Sequence, residues 1–421
     1  MNSRLPVRSV MLASSLALVS GCGLLPGSAG STDITIWMME GSVTDEFVKA
    51  FKDDYEDKHP SIDLNIEIKG WAGIGNTVTA ALGGKDTPDV IEVGNTQVAQ
   101  YADSNNLRDL TLESVRDLGS KDWLPGLADP GSIDGAQFGI PWYAANVVVI
   151  YNKDLFEQAG IKTPPKTRDE WIDDTTELNQ NGNQGIYLSG QDWYTLCGFI
   201  WDEGGELATE SGGQWRGAID TPAAIKGMEF YKELQALGKA PKDADHTQPD
   251  QAEVFAKGKI AQIISTPGAA AKIEELNPAL KGKLGFFPVP GKTADKPGRV
   301  LTGGSDLVVP KNSAHRFEAV QVVSELADEK WQVELAKAMS FVPNKSKLSA
   351  AVGGGESIKA MAKGAAEGRA TPNSPQWANI DVNNPFKPYM TAVLQGKDVE
   401  PAAKEASEKI TVALRDSSHI G

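Results

Sequence analysis

Apolar and polar positions alternate along this chain in two rhythms, and the rhythms predict its elements. Ile34, Ile36 and Met38 alternate with Thr35 and Trp37, the period-two pattern of a strand. Phe47, Phe51 and Tyr55 then recur every fourth residue. With Ser42 at the N-cap position and Asp45 and Glu46 in the first turn, they predict a helix that stops before Pro60. Ile62, Leu64, Ile66 and Ile68 alternate strictly as a second strand. Val78, Ala81 and Leu82 predict a short helix, and 89–93 a third strand. Strand and helix taking turns is the βαβ rhythm of a largely parallel sheet.

The same rhythm resumes beyond Pro141. A β-branched run from Val147 to Tyr151 reads as a strand, and Thr167 to Glu170 as a capping box with Trp171 and Leu178 behind it. Thr221-Pro222 opens a helix that turns Ile225, Met228, Leu234 and Leu237 inward and ends at Gly238. Strands are predicted over 259–264, 284–287 and 305–309, the last followed by a Ser313-capped helix carrying Phe317, Val320, Val323 and Leu326. Residues 353–375, rich in Gly, Ala and Pro, read as loop and short helix, and 400–415 as a final amphipathic helix. No repeat at a fixed period is visible. The expected fold class is α/β, in two domains.

The first 22 residues follow a different logic. Arg4 and Arg8 precede a short apolar run from Val10 to Val19, the charged and hydrophobic regions of an export signal, too short to remain as a spanning helix. The run closes on Val19-Ser20-Gly21-Cys22, which resembles the lipobox of bacterial lipoproteins. That resemblance implies removal of residues 1–21 and acylation of Cys22, with 22–32 as a small-residue tether. A plain cleaved signal with an incidental cysteine is the alternative.

The only other cysteine is Cys197, so an acylated Cys22 leaves no intramolecular disulfide, and stability must come from the core. Cys197 itself reads as a small buried hydrophobe. Loss of Arg4 and Arg8 with the signal moves the formal charge from −15 to −17. Such a chain is a poor partner for nucleic acid or an anionic lipid surface. No later stretch is apolar enough to span a bilayer, so the lipid is the expected anchor, on the extracellular face of the cell membrane.

Seven further runs carry a specific resemblance. They are the 36–41 run (Ile-Trp-Met-Met-Glu-Gly), 87–92, 139–143, 150–156, 165–167, 255–261 and 304–311. In this order they resemble the carbohydrate-binding members of the extracellular solute-binding proteins, the wider family of the maltose-binding protein. The resemblance implies a periplasmic-binding-protein-like fold, two α/β lobes joined by crossing hinge strands, that captures a sugar for an ABC importer. Its partners would be an oligosaccharide and the permease subunits, with the protein itself a monomer. By analogy the crossings fall near Trp142–Asn146, Phe286–Pro290 and Phe341–Asn344. The N-lobe would take 33–142 and 288–343, and the C-lobe 143–287 and 344–421.

A sugar offers apolar C–H faces and a rim of hydroxyls, so its site needs flat aromatic platforms beside groups that donate and accept hydrogen bonds. The chain has ten tryptophans. In open α/β sheets the ligand crevice lies beyond the carboxyl ends of the strands. That places Glu40 after the first strand, Trp71 after the second and Asn95 after the third as candidate ligand contacts. The segment 191–205 is the densest aromatic cluster, and the family resemblance implies ligand contact near its start, at Trp193 or Tyr194, with Trp201 a further candidate. Trp142 at the first crossing, Ser305 on the returning strand and Trp377 in the late loops complete the set. Trp123, Trp171, Trp215 and Trp331 read as packing or surface residues. One departure matters: where the maltose-binding branch has a stacking tryptophan after Ile264, this chain has Thr266-Pro267-Gly268-Ala269.

No nucleophile elbow, zinc-binding His pair or phosphate loop is present, and the four histidines show no ligand spacing. Asp243, Asp245 and Asp250 miss the calcium-loop pattern and read as a solvated loop. Neither catalytic residues, a metal nor a cofactor is therefore expected. The rivals are a cell-surface glycoside hydrolase and a binding lipoprotein for sensing or adhesion. The runs around Trp71, Asn95 and Trp142 look most like actinobacterial oligosaccharide binders, including the chitobiose group, and the amides of Asn95, Gln97 and Asn146 suit acetamido groups or hydroxyls. The expected ligand is a β-linked disaccharide such as chitobiose, with α-glucosides or maltooligosaccharides as the alternative.

Overall fold

The computed structural model describes residues 31–71, 73–353 and 355–415; Cys22 and its tether lie outside them. Two lobes are built on two sheets. The larger has six strands in the order Val342–Pro343, Gly139–Asn146, Thr302–Val308, Val90–Gly94, Thr32–Met39, Ile62–Lys69. The only parallel pairings in this sheet join the first three strands in sequence; Thr302–Val308 runs antiparallel to both of its neighbours. The smaller sheet places Val148–Asn152 between Gln262–Ser265 and Leu284–Phe287, antiparallel to each.

Local sequence accounts for most helices, with two corrected caps. Over Asp45–Lys58 the cap is Thr44, whose Oγ1 accepts from Phe47 N at 3.2 Å. Ser42, the expected cap, instead donates to the buried Glu92 at 2.6 Å. Phe47 and Phe51 of this helix meet Trp331 edge-on at 5.5 and 5.1 Å. The capping box Thr167–Glu170 is formed, and Trp171 is fully enclosed, with its Nε1 donating to Gln262 Oε1 at 2.8 Å. The Arg316–Leu326 helix starts after His315 rather than Ser313, because the Ser313 hydroxyl donates to Asp89. Its Phe317 points to solvent, 70% exposed.

The chain passes between the lobes at three places. Gly139–Asn146 belongs to the large sheet and Val148–Asn152 to the small one, so the first passage is the step between them. After Phe287 the chain stays with the small sheet: Gly291 bridges Thr167, Arg299 N donates to Asp202, and Leu301 bridges Arg369. It returns to the large sheet only at Thr302, which pairs with Asn146. The third passage follows Val342–Pro343, paired with Ala144 and Tyr143. Leu348 and Val352 then pack on Val333 and Ala336.

Candidate ligand-binding cleft

Between the lobes lies a cavity of about 490 Å³, within the range of small-molecule sites. Trp71, Gly94, Asn95 and Thr96 form one wall, beyond the carboxyl ends of the parallel strands. Asp192, Trp193, Tyr194, His246 and Gln251 form the facing wall. Ala145, Asn146, Leu301, Gly303 and Gly304, all on crossing segments, make the floor.

Trp71 follows the Ile62–Lys69 strand and is 41% exposed. Its indole Nε1 donates to Glu40 O at 3.0 Å, which fixes the ring edge and leaves a face toward the cavity. Facing it, the Trp193–Asp202 helix begins at the cavity wall. Asp192 caps that helix: one carboxylate oxygen accepts from Thr195 N at 3.3 Å, the other from the Thr195 hydroxyl at 2.7 Å. Burial pushes the Asp192 carboxyl above the usual range, with nearby His246 opposing the shift. Trp193 stacks on Phe386, centroids 5.4 Å apart, and lies tilted against Tyr194 at 4.4 Å; Tyr194 meets His246 edge-on.

His246 and Gln251 were not singled out by sequence pattern. They reach the cavity on a loop stapled at both ends. Asp245 accepts from Thr247 N and Oγ1 and pairs with Lys387 at 2.9 Å, bonds that hold its carboxyl well below the usual range. Asp250 caps the next helix and pairs with Lys272 at 3.0 Å. The loop is solvated over much of its length, and its two paired aspartates bring it to the cavity edge. Among the described residues, no Lys or Arg lines the cavity.

Where the wall of Trp71 meets the floor, Asn95 Nδ2 donates to Thr302 O at 3.1 Å, tying the end of the Val90–Gly94 strand to the returning crossing. Gly304 has φ +150°, and a Cβ there would stand 2.1 Å from Tyr143 O, so only glycine fits.

The structure therefore brings Trp71, Asn95 and Trp193 together and leaves five sequence candidates off the wall. Glu40 contributes its backbone carbonyl to Trp71, while its exposed side chain lies off the cavity. Trp142 is 0% exposed and packs in the large-sheet core. Ser305 turns away from the cavity and donates to Tyr143 Oη at 3.0 Å, within the buried Ser42–Glu92–Tyr143 network. Burial raises the Glu92 carboxyl despite the donors around it. Trp201 lies at the far end of its helix, in the core, with Arg369 over its ring at 5.2 Å. Trp377 is wholly enclosed in the same core. The three tryptophans are claimed by core packing, Ser305 by a buried hydrogen-bond network, and Glu40 faces solvent. Besides His246 and Gln251, the wall includes Asp192, Thr266 and Thr371, which no local pattern marks.

The profile of the bacterial extracellular solute-binding protein family matches residues 40–333. The chain belongs to this family. The diacetylchitobiose binding protein DasA of Streptomyces coelicolor is 39% identical over 390 residues, 92% of this chain and 91% of that one. Among solved structures, the sugar-binding protein MalE of Xanthomonas citri superposes with a TM-score of 0.82 at 21% identity, covering 91% of this chain and 97% of its own. The GacH receptor of Streptomyces glaucescens gives 0.74 at 24%, covering 92% and 99%. The fold is thus that of the periplasmic binding proteins, two α/β lobes about a cleft, and family membership makes the chain an extracellular solute-binding protein.

Proposed function

We propose that this protein captures a β-linked disaccharide of N-acetylglucosamine in the interlobe cleft and presents it to the permease subunits of an ABC importer. The observation that carries this reading is the pairing of aromatic surfaces on opposite walls, Trp71 against Trp193 and Tyr194, beside the Asn95 amide. Indole faces suit the C–H faces of pyranose rings, and amides both donate and accept. A wall without Lys or Arg is unsuited to a phosphate or carboxylate ligand. The likeness to DasA points to the same sugar, and Thr266, standing where the maltose-binding branch has an indole, speaks against maltodextrins.

Cys22 tethers the mature monomer to the outer face of the membrane. The lobes divide at 146–148, at 302 and beyond 353, so that 288–301 belongs with the C-lobe and 344–353 with the N-lobe.

Thermal melting against N,N′-diacetylchitobiose, cellobiose and maltose tests the ligand. Diacetylchitobiose at a hundredfold excess over Kd should add roughly 2.7 kcal/mol of stability. No shift with it, or a larger one with maltose, overturns the assignment. The recovered disaccharide should be intact; release of monosaccharide would make the protein a hydrolase. Cys22→Ala should shed the protein to the medium or leave it unprocessed, and unchanged membrane association would refute the anchor.

A further inference from the structure

The Trp71 ring stands exposed at the cavity wall, and its indole hydrogen bond to Glu40 O ends on a tight turn. Met39 to Ser42 make that turn. Ser42 N donates to Met39 O at 3.0 Å, and Gly41 has the positive φ, +82°, that a type II turn needs at its third position. Glu40 and Gly41 at the tip are exposed, whereas Met39 and Ser42 at the ends are buried. Both ends are fastened to one carboxylate. Met39 N donates to Glu92 Oε2 and the Ser42 hydroxyl to Glu92 Oε1, each at 2.6 Å.

Glu92 is wholly enclosed in the middle of the Val90–Gly94 strand and lies off the cavity. Its Oε1 also accepts from Tyr143 Oη at 3.0 Å, and Tyr143 Oη accepts from Ser305 at 3.0 Å. Those two residues stand on the strands Gly139–Asn146 and Thr302–Val308, which lead to the crossings. Burying a carboxylate costs free energy unless donors converge on it, as three do here. Two of the three fix the ends of a turn whose tip is in solvent. An aromatic ring held in its binding orientation before the ligand arrives loses less freedom on binding. We infer that Glu92 is a positioning residue for ligand binding: without touching the ligand, it fixes the 39–42 turn, whose Glu40 carbonyl aims the Trp71 ring at the sugar. This rests on the sugar-binding reading above and adds to it the buried group on which the exposed wall of the site depends. Through Tyr143 and Ser305 the same carboxylate keys that wall to the crossing strands.

The test is a double-mutant cycle read by titration calorimetry with N,N′-diacetylchitobiose. Trp71→Phe keeps a ring but has no N–H for Glu40 O, and should weaken binding by about threefold or more. Ser42→Ala and Glu92→Leu each loosen the turn. In the otherwise unmodified protein they should weaken binding by about threefold and about tenfold, respectively. In the Trp71→Phe background neither should change affinity by more than about twofold, because the link through which they act is already cut. Equal losses in the two backgrounds would mark a purely structural role and overturn the inference, as would unchanged affinity in Trp71→Phe or in Ser42→Ala. If Glu92→Leu does not fold, Ser42→Ala decides, since it leaves the carboxylate its Met39 and Tyr143 donors. Absence of any diacetylchitobiose binding by the unmodified protein would instead overturn the ligand assignment on which the inference rests.

Discussion

Two tryptophans on opposite walls of one cavity carry different structural obligations. Trp71 is 41% exposed and held by one hydrogen bond from its indole edge, whereas Trp193 is 4% exposed and stacked on Phe386 within the C-lobe core. Trp71→Ala should weaken sugar binding at least tenfold, about 1.4 kcal/mol, and leave the apo melting temperature within a few degrees. Trp193→Ala should weaken binding too, but also cost about 3–5 kcal/mol of stability, as a core aromatic does. Denaturant titration beside calorimetry separates the two signatures, and a stability-neutral Trp193→Ala would show that the ring serves the ligand alone. Asp306 poses a different question. It is fully enclosed on a crossing strand, and among the described residues neither carboxylate oxygen has a hydrogen-bond partner. Burial raises its carboxyl well above the ordinary value. The folded state therefore holds this proton more tightly than the unfolded chain does. The stability it contributes is complete below the unfolded value and is lost as pH rises through the folded one. Asp306→Asn removes that loss. The stability of the parent relative to the variant, from urea unfolding, should decline from acid toward neutral pH, and a pH-independent difference would refute the account.

At the scale of elements, sequence legibility follows burial. The capping box at Thr167 and Glu170, the Thr221-Pro222 helix start and the first two strands were readable because one face of each meets solvent or a known cap. Elements enclosed on both sides lose the alternation that tells which residue faces where. Trp142 stands on such a strand, and nothing local says that it points to the core while the cavity floor is lined by Ala145 and Asn146. The Trp193–Asp202 helix is buried over most of its surface, so its aromatic density was chiefly a core signal; only its first turn meets the cavity. Ser42 and Ser313 misled as caps because each hydroxyl is taken by a carboxylate distant in sequence, Glu92 and Asp89. The loop carrying His246 was invisible for a related reason, its two aspartates being committed to Lys387 and Lys272 far along the chain. Gly304 is the element-scale counterpart on the floor. Gly304→Ala forces a Cβ against Tyr143 O at a φ that L-residues avoid, and should cost at least about 2 kcal/mol, read by thermal melting, and weaken sugar binding. A variant that melts with the parent would mean that the crossing strand adjusts freely.

On the scale of the whole molecule, three passages confined to short segments predict hinge closure about the cleft. Small-angle scattering should record a smaller radius of gyration with saturating diacetylchitobiose, and no change in scattering would count against closure. The enclosed Cys197 bears on how such motion is followed. It is the single cysteine among residues 31–415, so a chain begun after the tether has no intramolecular disulfide to close. A chain begun after the tether should assemble equally well under reducing conditions. Because the native thiol is shut away from alkylating reagents, a pair of cysteines introduced one on each lobe would be the only sites to take up fluorophores. The opening angle then becomes a distance that can be read molecule by molecule, without first replacing a native residue.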